Sequence, residues 1–402
     1  MNDMKIFKIE EETPSLINEN DFDEALAVSL HQRYGDRISV DFPNPLNDHR
    51  YILRSKGWVG QLPISEDIML HILPKVPIAN LFRMLEYAYK LKPFHFLEGV
   101  THIEALSELF EHLASILARN VLDRVRKGLY RSYVEREDAL PYLRGRVLFM
   151  PSLRSSARGA LQLQCEYEEH TADLIENRIL AWTLFLLPKL GLKREDVQRR
   201  VRQAFRAICG IVGVTPIEPH EYGAVLYHRL NEDYRPMHAL CRFFLEHCGP
   251  GIQAGEHDFI PFLVNMPALF ESFVAEWLRG NLEDIRVVEQ YHASLDPTGS
   301  FSFRIDLVLE DPTSGKILAV MDTKYKREDA PREADIQQVV AYAARMNTRT
   351  AFLIYPSTAA RPVDLQAGKI CVRSLIFDIG VDPDEAGRVL LERLKEVLAC
   401  DS

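Results

Sequence analysis

Several features that would point to a function at once are scarce or missing. Cysteine is one. The 402 residues include only six, at positions 165, 209, 241, 248, 371 and 400, with no CxxC pair. That argues against a disulfide framework and against a zinc ribbon. His238, Cys241, His247 and Cys248 stand near one another, but in MHALCRFFLEHC, whose spacing is that of an amphipathic helix. A structural zinc is not expected there. No apolar run is long enough to cross a bilayer, and MNDMKIFKIEEE has no signal-peptide hydrophobic core. A cytoplasmic protein with no membrane attachment is the expectation. Internal repeats, low-complexity segments and a GxxxxGK[ST] phosphate loop are also missing. So is an excess of positive charge. Lys and Arg number 48 against 58 Asp and Glu, a net charge of −10, divided as −4 over 1–100, +2 over 101–250 and −8 over 251–402. A protein that held nucleic acid by its own electrostatics would be basic. If this chain acts on nucleic acid, a partner supplies much of the grip.

What is present describes a globular protein, 47% hydrophobic and 26% charged, too long for a single core. Residues 1–77 are predicted to be a β-rich domain with strands at KIFKIE, RISVDF, RYILRSKGWVGQLPI and IMLHILPKV, and one helix at DFDEALAVSLHQRY. Residues 78–255 are predicted to be mainly helical, with β insertions at GLYRSYVERE, YLRGRVLFM and LQLQCEYEE. The glycine-rich GPGIQAGEHD marks a boundary. Residues 256–402 alternate helices and strands, which predicts a mixed central sheet flanked by helices. The fold class is thus a multidomain α+β / α/β protein.

The chemistry concentrates in the predicted hairpin SFRIDLVLE–DPTSG–KILAVMDTKYK. Side chains alternate along a strand, so Arg304, Asp306, Val308 and Glu310 share one surface, and Phe301, Phe303, Ile305, Leu307 and Leu309 the other. On the second strand Lys316, Leu318, Val320, Asp322 and Lys324 share a surface. If Glu310 faces Lys316, Asp306 faces Val320 and Asp322 is its diagonal neighbour, roughly 7–8 Å away at Cα. Two carboxylates that close repel unless a positive charge lies between them. Oxygen ligands suit Mg²⁺, and a lysine beside such an ion can orient or help deprotonate water, or stabilise charge on a phosphate oxygen. An exposed hairpin with a surface salt bridge explains the triplet Asp322-Thr323-Lys324 equally well. Flanking helices add to the first reading. Glu271 shares its helical face with Ala268, Val274, Ala275 and Leu278, whereas Glu276 lies beside Ser272 and Arg279 on a face that reads as solvated. A carboxylate on an apolar face needs a counter-charge. Gln338 and Tyr342, four residues apart, project from one side of EADIQQVVAYAARM.

In this order, Glu271, Asp306, Asp322-Thr323-Lys324, Gln338 and Tyr342 resemble the PD-(D/E)xK nuclease superfamily in its branch with a QxxxY helix. Ile305 stands where the proline of that name would be. The series LRGRVLF, EYEEHTADLIENRILAWTL, RIDLVLE, VMDTKYK, DIQQVVAYA and LIYP further resembles the McrC family, the nuclease subunits of McrBC modified-cytosine restriction systems. The resemblance spans about residues 78–402. It implies a Mg²⁺-dependent DNA endonuclease using one or two ions, with Asp306 and Asp322 as metal ligands and Glu271 helping to hold the metal. Lys324 would position or activate the attacking water, and Gln338 would support the site or contact DNA. It also implies docking on a McrB-like AAA+ ring that hydrolyses GTP and reads double-stranded DNA carrying modified cytosine. This chain would bind no GTP itself. Candidate ring contacts in the middle region are Arg144, Arg146, Asn177 and Arg178, although a Gly-centred turn and a helix salt bridge account for them as well. Arg199, Arg202 and Arg206 fall near one side of a helix and read as a solvated face or a DNA contact. Two other functions remain open: a stand-alone repair or resolvase-type nuclease, and a GTPase activator that no longer cleaves.

Overall fold

The computed structural model describes residues 5–65, 67–91, 106–157, 159, 162–247, 261–294, 302–325, 331–357 and 362–400. GPGIQAGEHD and Phe301, which enter the sequence reading, lie outside them. The chain divides into two compact units, Met1–Leu109 with His247–Ser402, and Phe110–Glu246. Among the described residues no helix is long and apolar enough to cross a membrane.

The first unit begins with β1 (Lys5–Glu10), β2 (Ser15–Ile17), α1 (Glu24–Tyr34), β3 (Ile38–Asp41), β4 (Tyr51–Ser55), β5 (Trp58–Ser65), β6 (Ile68–Leu73) and α2 (Ile78–Ala88). Asp23 starts α1 by accepting a hydrogen bond from Leu26 N at 2.8 Å. Strands β2, β4 and β3 form one antiparallel sheet. The other sheet has the order β1-β6-β5-β10, with its last strand, β10 (Phe262–Asn265), supplied from far along the chain. The pairing crosses both boundaries drawn from sequence, at 77 and 255. Gly60 permits it: φ is 141°, and a Cβ there would meet Phe262 O at 2.1 Å. Phe22, Leu30, Ile38, Leu53, Leu62, Leu70 and Leu263 share the resulting core.

The second unit comprises α3 (Leu106–Lys127, from Phe110 onward), β7 (Ser132–Leu140), β8 (Arg146–Val147), α4 (Phe149–Ala157), β9 (Leu163–Thr171), α5 (Ile175–Leu186), α6 (Glu195–Cys209), α7 (Pro219–Gly223) and α8 (Tyr234–His247, up to Glu246). Strands β7, β9 and β8 form an antiparallel sheet, with the short helix α4 between β8 and β9.

The first unit resumes after β10 with α9 (Met266–Asn281), β11 (Arg286–Ser294), β12 (Ser302–Glu310), β13 (Ile317–Thr323), α10 (Glu333–Arg345), β14 (Thr350–Tyr355), β15 (Asp364–Ala367), β16 (Ile370–Ile376) and α11 (Pro383–Cys400). Its six strands have the order β11-β12-β13-β14-β16-β15. β13, β14 and β16 are parallel and the remaining pairs antiparallel. All six residues of β14 are buried, as its unbroken apolar run requires of a central strand. The mixed α+β, multi-sheet architecture is the one the sequence predicts.

Candidate functional site

The register of β12 on β13 differs from the predicted one by two residues. Leu307 faces Met321, Val308 faces Val320 and Leu309 faces Ala319, with a bulge before Glu310 meets Ile317. The turn makes room for the shift. Asp311 N bonds Lys316 O, and the Asp311 carboxylate accepts from Thr313 and Ser314. An even shift leaves every side chain on its predicted face. It changes the neighbours: continued by one residue, this register puts Asp306 directly across from Asp322, not diagonal to it.

Thr323 donates to Asp306 Oδ2 twice, from its backbone N at 2.8 Å and from Oγ1 at 3.0 Å. Lys324 N donates to Ile354 O at 2.8 Å, extending the parallel pairing one step beyond β13. Its Nζ lies 2.6 Å from Asp322 Oδ2 as an ion pair, off the line of a good hydrogen bond. The same Nζ donates to Gln338 Oε1 at 3.1 Å, and Gln338 Nε2 donates to the Tyr342 hydroxyl at 2.5 Å. Tyr342 in turn packs edge-on against Phe303. Helix α10 thus brings Gln338 and Tyr342 to the strand end that carries Lys324.

Glu271 sits half-buried on α9, a helix started by Asn265, whose side chain accepts from Ala268 N at 3.1 Å. Its carboxylate accepts from the side chain of Gln290. Gln290 adopts φ 54° in the middle of β11, a conformation that residues other than glycine seldom take. Its pairing with Asp306 is the one step missing from an otherwise continuous β11–β12 register. Glu276 differs from its solvated reading: its side chain is only 14% exposed, held by Arg279 and Lys90.

Burial pushes the Asp322 carboxyl up to about 6, and the Asp306 charge adds to it while Lys324 opposes. Burial and then Asp306 raise Glu271 to about 7. For Lys324, burial pulls the ammonium down, but Asp322, Asp335 and Asp306 outweigh it and the net shift is upward. Asp306 is therefore the common neighbour of two acids that resist ionising, and one lysine does not neutralise the set.

Among the described residues, no three or more His, Cys, Asp or Glu side chains are placed, as they stand, to cage a metal ion. The donor types do fit a hard divalent cation: they are all carboxylate oxygens, they repel one another, and Asp322 Oδ2 is buried without a hydrogen bond.

Four contributors escaped the sequence reading. Asp335 is 7% exposed and its Oδ1 lies 3.7 Å from Lys324 Nζ. Its signal was available, three residues before Gln338 on one helix face. Gln290 gives no signal, because a left-handed glutamine inside a strand follows no residue preference. Tyr325 and Glu11 form the other pair, the hydroxyl donating to Glu11 Oε2 at 3.2 Å.

The candidates in the second unit separate. Arg146 is solvent-facing and Arg144 half-buried over the ring of Tyr167, each 3.6 Å from a glutamate of β9. Asn177 is wholly buried and fully engaged: it donates to Tyr130 O and Ala172 O and accepts from Tyr234. Its side chain is thus out of reach of solvent in this structure, where a surface position was expected. Arg178 is locked on Asp173 by two bonds of 2.8 and 2.7 Å. Of the three arginines expected on one side of α6, Arg199 lines a cleft of about 470 Å³ with Arg119, Arg126 and Arg200, whereas Arg202 and Arg206 are exposed and do not line it.

A sequence model described as "McrBC 5-methylcytosine restriction system component" matches residues 53–356. The chain belongs to this McrBC family. It is 24% identical over 264 residues to the type IV methyl-directed restriction enzyme EcoKMcrBC of Escherichia coli (strain K12), an alignment covering 63% of this chain and 74% of that protein. It also resembles a chain of the Thermococcus gammatolerans assembly of McrB AAA+ hexamers with bound McrC, at a TM-score of 0.57 and 20% identity, over 97% of this chain and 100% of that one. At that identity the likeness is one of fold. The McrBC match extends well beyond the carboxylate site, running from β4 to the end of β14.

Proposed function

We propose that this chain is the Mg²⁺-dependent DNA endonuclease subunit of a McrBC-type restriction system, with a PD-(D/E)xK domain over residues 256–402. It docks on a McrB-like AAA+ GTPase, stimulates it, and hydrolyses phosphodiester bonds in DNA carrying modified cytosine. One observation carries the reading: Asp306, Asp322, Lys324 and Gln338, from two strands and a helix, meet at one sheet end inside a McrBC-family chain. The Thermococcus assembly, in which McrC is bound to McrB hexamers, supports the partner.

In this reading Asp306 and Asp322 would hold Mg²⁺, with Glu271 helping to hold it. Asp306 has Oδ1 for the purpose, since Thr323 occupies Oδ2. When bound there, such an ion would supply positive charge against the phosphate oxygens and ease ionisation of the attacking water. Lys324, with its pKa raised, stays an ammonium at neutral pH. Its part is to orient water and steady charge on the phosphate, not to take a proton. Gln338 fixes the ammonium, and Tyr342 fixes Gln338. Exposed Tyr142, Leu143, Phe149 and Met150 lie in sequence beside Arg144 and Arg146, and a surface so apolar fits docking to a partner.

The test is a supercoiled-plasmid assay with and without the AAA+ partner, GTP, Mg²⁺ and cytosine modification. Cutting is expected only with all four, and not by Asp322→Asn. Cutting by the chain with Mg²⁺ alone would favour a self-sufficient nuclease. Stimulated GTP hydrolysis without any cutting would leave a non-cleaving activator.

A further inference from the structure

Glu11, the residue after β1, is wholly buried. Its Oε2 accepts from Lys75 N at 3.3 Å and from the Tyr325 hydroxyl at 3.2 Å, and its Oε1 is buried without a hydrogen-bond partner among the described residues. A carboxylate is a costly way to fill a core, so its partners are informative. Tyr325 directly follows Lys324. Its ring packs 5.9 Å from that of Phe270, the residue before Glu271. One buried side chain of the N-terminal segment therefore reaches the residue that adjoins Lys324 and packs on the residue before Glu271.

We propose that Glu11 is a positioning residue for this site, anchoring Tyr325 and thereby the backbone from which Lys324 projects. Lys324 is then held on two sides. Its own N is bonded to Ile354 O, and the next residue is tied through its hydroxyl to Glu11. Residues 1–77, whose role the sequence leaves blank, become part of the frame of the site. The consequence for cleavage rests on the nuclease reading; the consequence for the geometry of Lys324 does not.

The experiment uses three variants of the full chain. Glu11→Leu removes the acceptor, Tyr325→Phe removes the donor, and Glu11→Gln keeps an acceptor of the same shape. Two readouts are taken: plasmid cleavage by the complex with partner, GTP and Mg²⁺, and the rate at which an amine-reactive reagent labels Lys324 in the isolated chain, by peptide mass spectrometry with Lys189 and Lys193 as references. Glu11→Leu and Tyr325→Phe are each expected to lower kcat about tenfold at unchanged KM for DNA, the scale of losing a group that orients a catalytic one. Both should label Lys324 at least about threefold faster, the double variant no faster than either single one, and Glu11→Gln should stay within about twofold of the parent. Folded Leu and Phe variants that label like the parent overturn the proposal, as does a Gln variant that behaves like Leu. Should Glu11→Leu not fold, Tyr325→Phe decides. Should the parent complex not cut DNA, the nuclease reading fails and labelling alone decides the positioning role.

Discussion

Two antiparallel strand pairs in this chain carry the same kinds of charged residue to different ends. Around β7, β8 and β9, Arg136, Arg146 and Arg144 (just before β8) pair with Glu169 and Glu166 at 3.2–3.6 Å, every side chain about a third or more exposed. Pairs of that kind contribute about 0–1 kcal/mol each and are screened by salt. At the end of β13, Asp322 and Lys324 approach to 2.6 Å with side chains 2% and 15% exposed. There the carboxylates outnumber the lysine, and burial turns the excess into shifted ionisation. Charge composition follows the same division. Residues 110–246 hold 21 Lys and Arg against 17 Asp and Glu, whereas the rest of the chain holds 27 against 41. The carboxylate site thus lies in the more acidic unit; if the chain cuts DNA as proposed, a cation and a partner would have to offset that repulsion. Charges in water make a surface; the same charges out of water, and out of balance, shift one another's ionisation.

The sharpest way to break this contrast is Asp322→Asn. Cleavage should fall by at least about 10²–10³-fold, as when one preorganised electrostatic group is lost from an active site. Stability should move the other way. Since the folded-state carboxyl titrates near 6, above its unfolded value, the native protein binds the extra proton. Its stability therefore falls as pH rises from about 4 to 6, and the loss is complete above that window. The asparagine variant should match the parent at pH 4 and exceed it by about 1–3 kcal/mol at pH 7.5, less what Lys324 forfeits with its nearest partner. Denaturant unfolding at the two pH values measures this; a variant less stable at both would show that Asp322 is compensated in the apo protein.

Mg²⁺ sharpens the comparison from the other side. An ion bound at Asp306 and Asp322 competes with the protons held by Asp322 near 6 and Glu271 near 7. Stabilisation by Mg²⁺ should reach about 2.7 kcal/mol at a hundredfold excess over Kd. It should be clear at pH 8, small at pH 5.5, and absent in Asp322→Asn. Equal thermal shifts at both pH values would place the ion elsewhere.

How much of this was legible in the sequence depends on whether a position obeys local rules. β14 announces itself by an unbroken apolar run, and the faces of β12 and β13 by alternation. Asp306, Asp322 and Lys324 could be grouped on one surface, and the resemblance supplied their roles. The register could not be read, because Glu310–Lys316 looks like a good cross-strand pair and a bulge leaves no signature in residue type. The recruitment of β10 into the N-terminal sheet was equally hidden, since pairing between residues more than 200 positions apart is settled by the fit around Gly60. Asn177 misled for a related reason: an amide beside an arginine on a helix reads as surface until its hydrogen bonds are seen to close a buried network.

The exposed sheet of the second unit has its own weak point. Gly145 has φ 63°, and a Cβ there would fall 2.3 Å from Glu166 O and 2.7 Å from Tyr167 Cβ. Gly145→Ala should therefore unpair β8 from β9, at about 1–3 kcal/mol of local stability. Hydrogen exchange should speed up at Arg146 and Val147 while amide protection in β12 and β13 stays as it was. Loss of protection in both places would mean that the two strand pairs are not independent.

The smallest stability effects separate two arginines that look alike in sequence. Arg178 holds Asp173 by two hydrogen bonds, and these, chiefly, keep that carboxyl down at about 2. The contribution is present above the unfolded pKa near 4 and is lost as pH falls through 2; partial exposure limits it to about 1 kcal/mol. Arg178→Ala should thus destabilise by about that amount at pH 7. Arg146 is 81% exposed and reaches Glu166 only at 3.6 Å, so Arg146→Ala should change stability by less than about 0.5 kcal/mol. If its surface meets the GTPase ring, the same substitution should lower the stimulation of GTP hydrolysis about tenfold or more, since truncating a hot-spot arginine costs about 2 kcal/mol or more of binding. Stimulation left intact by Arg146→Ala but lost in Arg178→Ala would shift the docking surface from the exposed sheet to the region of α5.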